Sequence, residues 1–207
     1  SAVMQPEEFP TDQQLDFRQV RSKFNGRDCL LDFVVPQNSF VQVKAGDSRL
    51  AQLLGNLLKR QQTADSGSVV YGSVDLLSCN LLALRQAVVV FDRQTLLPIS
   101  IRDYLQLGKS NIGSREIHEA LNALNLVDEL QELPEGLETV LSHSGSPLSL
   151  DQALRLKLAF ALLGSVRILM LGQIYDVLET GVLQKFWTQY SKTSGGILLY
   201  FSNRQLG

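Results

Sequence analysis

Cysteine is scarce in this chain. Cys29 and Cys79 stand far apart and lack metal-ligand spacing, which excludes a disulfide framework and a thiolate metal centre. They read as reduced, mostly buried thiols of a cytosolic protein. Histidine is as rare, and neither His118 nor His143 belongs to a constellation with a nucleophile or metal ligands. Long apolar runs are missing too. Runs such as Ile168–Leu171 and Ile197–Phe201 have the length of buried strands, well short of the ~18 residues that cross a bilayer. No secretory signal opens the sequence, so the chain reads as soluble. Positive charge is not in excess: 19 Lys and Arg against 21 Asp and Glu leave a net charge of −2, without the basic face expected of a nucleic-acid binder. Repeats, linkers and low-complexity tracts are absent. With 44% apolar and 19% charged residues, the composition is globular and fits one α/β domain, or one domain with a small subdomain.

What is present is an alternation of strand and helix patterns. After a polar lead over residues 1–14, Leu15-Asp16-Phe17-Arg18-Gln19-Val20 alternates like a strand. Asn25-Gly26 is a hairpin signal, followed by the apolar run Cys29–Val35 and a turn at Pro36-Gln37-Asn38. Phe40–Val43 is the next strand. From Ser48 the period changes, and Leu50, Leu53, Leu54, Leu57 and Leu58 form one helical stripe. Asp47 or Ser48 is placed to cap that helix. Further strands are expected over Gly67–Gly72, Ala87–Phe91, Val166–Leu171 and Ile197–Phe201. Helices are expected from Ile117 to Leu130, over Asp151–Leu163 and over about Val182–Tyr190. This order implies βαβ crossovers and a largely parallel core sheet.

The turn after Phe40–Lys44 lies where an α/β phosphate-binding loop would be. Such a loop uses glycines that let backbone N–H groups converge on phosphate, a lysine that neutralises charge, and a Ser/Thr hydroxyl that meets Mg²⁺. Here it reads Ala45-Gly46-Asp47-Ser48-Arg49-Leu50-Ala51-Gln52-Leu53. One glycine survives, lysine is missing, and Asp47 would meet a polyphosphate with like charge. With Leu50, Ala51 and Leu53 disfavouring φ > 0, the helix is expected to start early and fill the space of a β-phosphate.

Arg167-Ile168-Leu169-Met170-Leu171-Gly172-Gln173, with Leu148-Ser149-Leu150-Asp151-Gln152 upstream, resembles the ATP-binding-cassette (ABC) ATPase domain, nearest in pattern to exporters that include type I protein and toxin secretion. Leu84-Arg85, Ile101-Arg102-Asp103 and Leu133-Pro134-Glu135-Gly136-Leu137-Glu138-Thr139 keep the framework order, so the resemblance runs from about Leu15 to Arg204. It implies a P-loop NTPase-like α/β fold: a parallel core sheet, an antiparallel β subdomain, and a helical subdomain over about 102–150 within a domain spanning 15–207. The family's functional residues map onto substituted positions. The Walker A lysine falls on Ala51 and the hydroxyl after it on Gln52. The loop glutamine falls on Asp92, the Walker B aspartate on Gly172, the general-base glutamate on Gln173 and the switch histidine on Asn203. The central signature glycines fall on Leu150 and Asp151.

Three positions keep the family's residue type. Phe24 sits where an aromatic stacks on adenine, although beside a hairpin it also serves as a packing residue. Ser149 and Gln152 keep the outer signature residues, and Ser-x-x-Gln opening a helix is equally a capping box. Arg49, the one cation left in the loop, reads as solvent-facing. Asp176 and Glu179 lie past the Walker B strand, where the family places a residue for subunit contact. The resemblance therefore implies an ATPase-like domain that is catalytically inactive, with neither ATP nor Mg²⁺ bound and no catalytic residues. Its expected place is the cytoplasmic face of the inner or plasma membrane. Its expected partners are an exporter's transmembrane domain and a second ATPase domain, in a homodimer or heterodimer, with no nucleic acid. An atypical ATP-hydrolysing transport domain, and a module that binds another ligand or protein, are the alternatives.

Overall fold

In the computed structural model, residues 9–44, 49–109 and 111–206 are described. Two sheets organise them. The first is antiparallel, with β1 (Leu15–Phe24), β2 (Arg27–Val35), β4 (Ser66–Tyr71) and β5 (Val74–Asp75) in the order β2-β1-β4-β5. Phe24 pairs with Arg27 across a two-residue turn whose Asn25 and Gly26 both have positive φ, 51° and 76°. That conformation is open to few residues besides Asn and Gly, which is why this dipeptide sets the register.

The second sheet is parallel, with β3 (Phe40–Val43), β6 (Val88–Phe91), β7 (Ile168–Leu171) and β8 (Ile197–Phe201) in the order β3-β8-β7-β6. The four strands expected to share one sheet do so. Alternate side chains feed separate cores. Leu169, Leu171, Leu198 and Tyr200 join the core under α6 (Leu150–Leu162) and α7 (Thr180–Thr193). Ile168, Met170, Ile197, Leu199 and Phe201 join the core shared with α1 (Arg49–Leu58) and the antiparallel sheet. Burial on both faces explains why these strands are unbroken apolar runs.

Helices α3 (Ile101–Gln106), α4 (Ser114–Ala123) and α5 (Val127–Gln131) lie between β6 and α6 in sequence and pack against α6. The single helical stretch expected over Ile117–Leu130 is therefore two helices. The break falls at Asn125 with φ 55°, and the Leu124 and Asn125 carbonyls released there accept from the guanidinium of Arg155 at 3.1 and 3.2 Å. Ala87 ends the short helix α2 (Leu81–Ala87) that runs directly into β6, so the strand starts one residue later than expected. Pairing of β7 begins after Val166, where the Arg167 amide bonds the Ala87 carbonyl at 2.7 Å. Helix α1 begins at Arg49 among the described residues. The expected caps Asp47 and Ser48, and the loop from Ala45, lie outside them.

Candidate functional site

Parallel strands of an open α/β sheet present ligand sites beyond their carboxyl ends. A cleft of about 460 Å³ opens there, between the ends of β3, β6, β7 and β8 and the first turn of α1. Its apolar floor includes Val43, Val90, Met170 and Phe201, and its rim carries Gln52, Asp92, Arg93, Gln173, Ser202 and Asn203. Ala51, Gln52, Asp92, Gly172, Gln173 and Asn203 all line it. Six positions scattered over most of the sequence, those that the resemblance maps onto phosphate, metal or water-handling residues, thus meet in one place.

On the mapping that the resemblance implies, Ala51 stands at the place of the lysine, and the neutral amides of Gln52, Gln173 and Asn203 at those of the hydroxyl, the general base and the switch histidine. Ser202 does bring a hydroxyl, but it donates to Asp176 at 2.6 Å. Asp92 and Arg93 are 3.9 Å apart, with side chains 61% and 79% exposed, a spacing and exposure at which an ion pair contributes little. At Gly172 a side chain would be a tight fit. A Cβ built there meets the Asp92 Cβ at 3.0 Å and Cα at 3.1 Å, so Asp92 would have to give by a few tenths of an ångström to admit one. Among the described residues no group of three or more His, Cys, Asp or Glu side chains could hold a metal ion.

Behind this rim the chain is tied together by hydrogen bonds. The Tyr200 hydroxyl and Ser202 Oγ both donate to the Asp176 carboxylate, and Arg204 donates to the Asp176 and Leu178 carbonyls at 2.9 and 2.6 Å. Burial, and then the bond to Asp176, hold the Tyr200 hydroxyl well above its ordinary pKa. Asp176 is thereby an anchor between the segment after β7 and the end of β8. On the other side, Lys157 of α6 is 7% exposed and donates to the Arg93 carbonyl at 2.6 Å. Burial lowers its pKa, while Asp92 opposes that shift. Neither Lys157 nor Arg204 is singled out by motif reading. A lysine within the apolar run Leu156-Lys157-Leu158 is the one available signal.

The three residues that keep the family's type lie elsewhere. Phe24 is half-buried at the end of β1 and packs against the core beneath the antiparallel sheet. Ser149 and Gln152 form the capping box of α6 in full: the Gln152 amide donates to Ser149 Oγ at 3.1 Å, and the Ser149 amide donates to Gln152 Oε1 at 3.0 Å. Leu150 is 36% exposed. The Asp151 carboxylate pairs with Arg155 at 2.5 Å. Arg155, with a side chain 9% exposed, also binds Glu129 at 2.5 Å, and this pairing holds the Glu129 carboxyl below its usual pKa. Cys79 is buried and Cys29 half-buried, and both are free thiols. Arg49 is exposed at the first position of α1.

No family model matches the chain. It is 26% identical over 174 residues to an ATP-dependent lipid A-core flippase of Desulfotalea psychrophila, covering 83% of this chain and 30% of that protein. A flippase of the same name from Polaromonas sp. is 36% identical over 128 residues, covering 61% of this chain and 22% of the relative. The heterocyst differentiation ATP-binding protein HepA of Nostoc sp. is 30% identical over 128 residues, covering 61% and 21%. The solved structure of a bacterial Atm1-family ABC exporter with ATP bound superimposes with a TM-score of 0.80 at 21% identity, over 93% of this chain and 35% of that one. The chain thus spans less than a third of the length of these curated relatives. The expectation drawn from the motifs holds: the chain is similar to the ATPase domains of ABC exporters over most of its length and has their fold.

Proposed function

We propose that this chain, whose fold is that of an ABC exporter ATPase domain, is a catalytically silent partner in an exporter. In this reading residues 15–207 form one ATPase-like domain with a helical subdomain over about 102–150. It works at the cytoplasmic face of a membrane, joined to or assembled with transmembrane segments and paired with a second ATPase domain. Among the described residues, no helix is long and apolar enough to cross a membrane itself. Movement on pairing would pass through the segment Asp92–Ile99.

One observation carries the reading: of the six cleft positions that the resemblance assigns to phosphate, metal or water, Ala51, Gln52, Gly172 and Gln173 hold side chains ill suited to that work. Ala51 brings no charge to a phosphate, and an amide at Gln52 is a poor replacement for a metal-bound hydroxyl. Gly172 cannot hold a metal-bound water, and Gln173 cannot accept a proton from an attacking water. Phe24, Ser149 and Gln152 do not offset this. Stacking on one aromatic is worth only ~1–3 kcal/mol per base, and the signature pair is engaged in capping α6.

The framework resemblance points to a protein or toxin-like cargo, whereas two of the curated relatives are named for lipid A-core. Parallel export assays with the two cargo classes separate these. The silent-partner role is tested by light scattering with and without Mg-ATP, for the chain alone and mixed with an active ATPase subunit encoded beside it. Pairing that ignores ATP supports the proposal. ATP-dependent dimers in either mixture would favour a half-active composite enzyme and refute it.

A further inference from the structure

The segment that follows β6 leaves the sheet at Asp92, and its first residues are fixed by the chain's own groups at three places. At the base, the Gly172 amide donates to the Phe91 carbonyl at 2.9 Å, and the missing side chain lets Asp92 approach to 3.0 Å from the position a Cβ would take. One residue on, the Arg93 carbonyl accepts from the Lys157 ammonium at 2.6 Å, and the ring of Phe91 lies 5.5 Å from that same ammonium. Further along, the buried Leu96 donates its amide to the His143 carbonyl at 3.0 Å.

Lys157 is the unusual member of this set. A lysine ammonium taken out of water must recover its hydration from protein acceptors, and the cost of leaving it unmatched is high. A mid-helix lysine 7% exposed, within an otherwise apolar stretch of α6, is therefore retained against a steady desolvation penalty. Its recorded hydrogen bond goes to the main chain of the outgoing segment. A bond from a charged donor is about twice as strong as one between neutral groups, which suits it to holding a carbonyl that no strand or helix claims.

We infer that Lys157 is a positioning residue that seats the segment Asp92–Leu96, with Gly172 providing the space into which Asp92 settles. Its conformation is then set by a cation built into α6 and not by a bound ligand. That last clause rests on the silent-partner reading, whereas the seating by Lys157 does not.

The Arg93 carbonyl belongs to a tryptic bond, Arg93–Gln94, and the Arg93 side chain is 79% exposed. Cleavage of that bond, measured against Lys192–Thr193 at the far end of α7, therefore reports on the seat. Lys157→Met is expected to accelerate cleavage at Arg93 about tenfold, the factor that corresponds to one charged hydrogen bond, while the reference bond is unchanged. Lys157→Arg should restore most of the resistance. Gly172→Ala, which pushes Asp92 outward, should also raise cleavage at Arg93. If Lys157→Met unfolds and every bond becomes sensitive, Gly172→Ala decides alone. Unchanged cleavage at Arg93 in the folded variants would overturn the inference. Separately, millimolar Mg-ATP is expected to leave cleavage of the native chain unchanged. Protection by Mg-ATP would refute ligand independence and the silent-partner reading, while the effect of Lys157→Met would still judge the seat.

Discussion

Around Arg155 and around Gly172 the molecule solves opposite problems. The Arg155 guanidinium meets the Asp151 and Glu129 carboxylates and the carbonyls left open where α4 ends. The guanidinium, 9% exposed, would be costly to bury without these acceptors, and together they tie α6 to α4 and α5. Around Gly172 the side chains facing the cleft are amides, an acid and a base too exposed to gain much from each other. On the silent-partner reading, the difference separates residues that hold backbone and helix ends, which this chain has, from those whose only task would be to meet a triphosphate. Ser149 and Gln152 fall on the same side of that division, because a family motif and a helix cap coincide in them.

Substitutions sharpen the comparison if their costs separate in the same way. The largest loss is expected at the scaffold. Leu198 is fully buried in β8, and Leu198→Ala should destabilise by about 3–4 kcal/mol in urea unfolding. Arg155→Met should follow at about 2–3 kcal/mol, because it strands two carboxylates and two carbonyls that now have a partner. This loss depends on pH. The pairing depresses the Glu129 pKa in the folded state, so its contribution is fully present above the unfolded carboxyl value of about 4.3 and fades as pH falls through the lower folded value. The gap between native and Arg155→Met proteins should therefore narrow on acidification from about pH 5 towards pH 3. An equal gap at all pH values would show that the pairing is not its origin. Ser149→Ala removes one half of the capping box and should cost about 1 kcal/mol, read from the same unfolding curves. At the cleft, Gln52→Ala and Gln173→Ala should stay within about 0.5 kcal/mol of the native protein. A loss at Gln173 as large as that at Arg155 would erase the distinction between the two regions.

Much of the fold was legible because it rests on local rules. Asn25-Gly26 demands a tight hairpin, a leucine stripe from Leu50 to Leu58 demands a helix, and unbroken runs such as Ile197–Phe201 demand strands covered on both faces. What was not legible depends on partners distant in sequence. No local pattern announces that Asn125 breaks the helical stretch, since the break is stabilised by Arg155 thirty residues on. The cleft was legible as a set of substituted motif positions, but their convergence and the tight approach of Asp92 to Gly172 are properties of the fold. Lys157 is not legible in the sequence because its acceptor is a main-chain group, the Arg93 carbonyl, which no side-chain pattern marks.

The central claim is that the cleft has lost the chemistry for a metal-bound triphosphate, and calorimetric titration of the chain with Mg-ATP tests it most directly. The account predicts no binding tighter than about millimolar, equivalent to ~4 kcal/mol. A micromolar dissociation constant that disappears on Arg49→Ala would contradict it, because the loop before α1 would then be holding phosphate by a new arrangement.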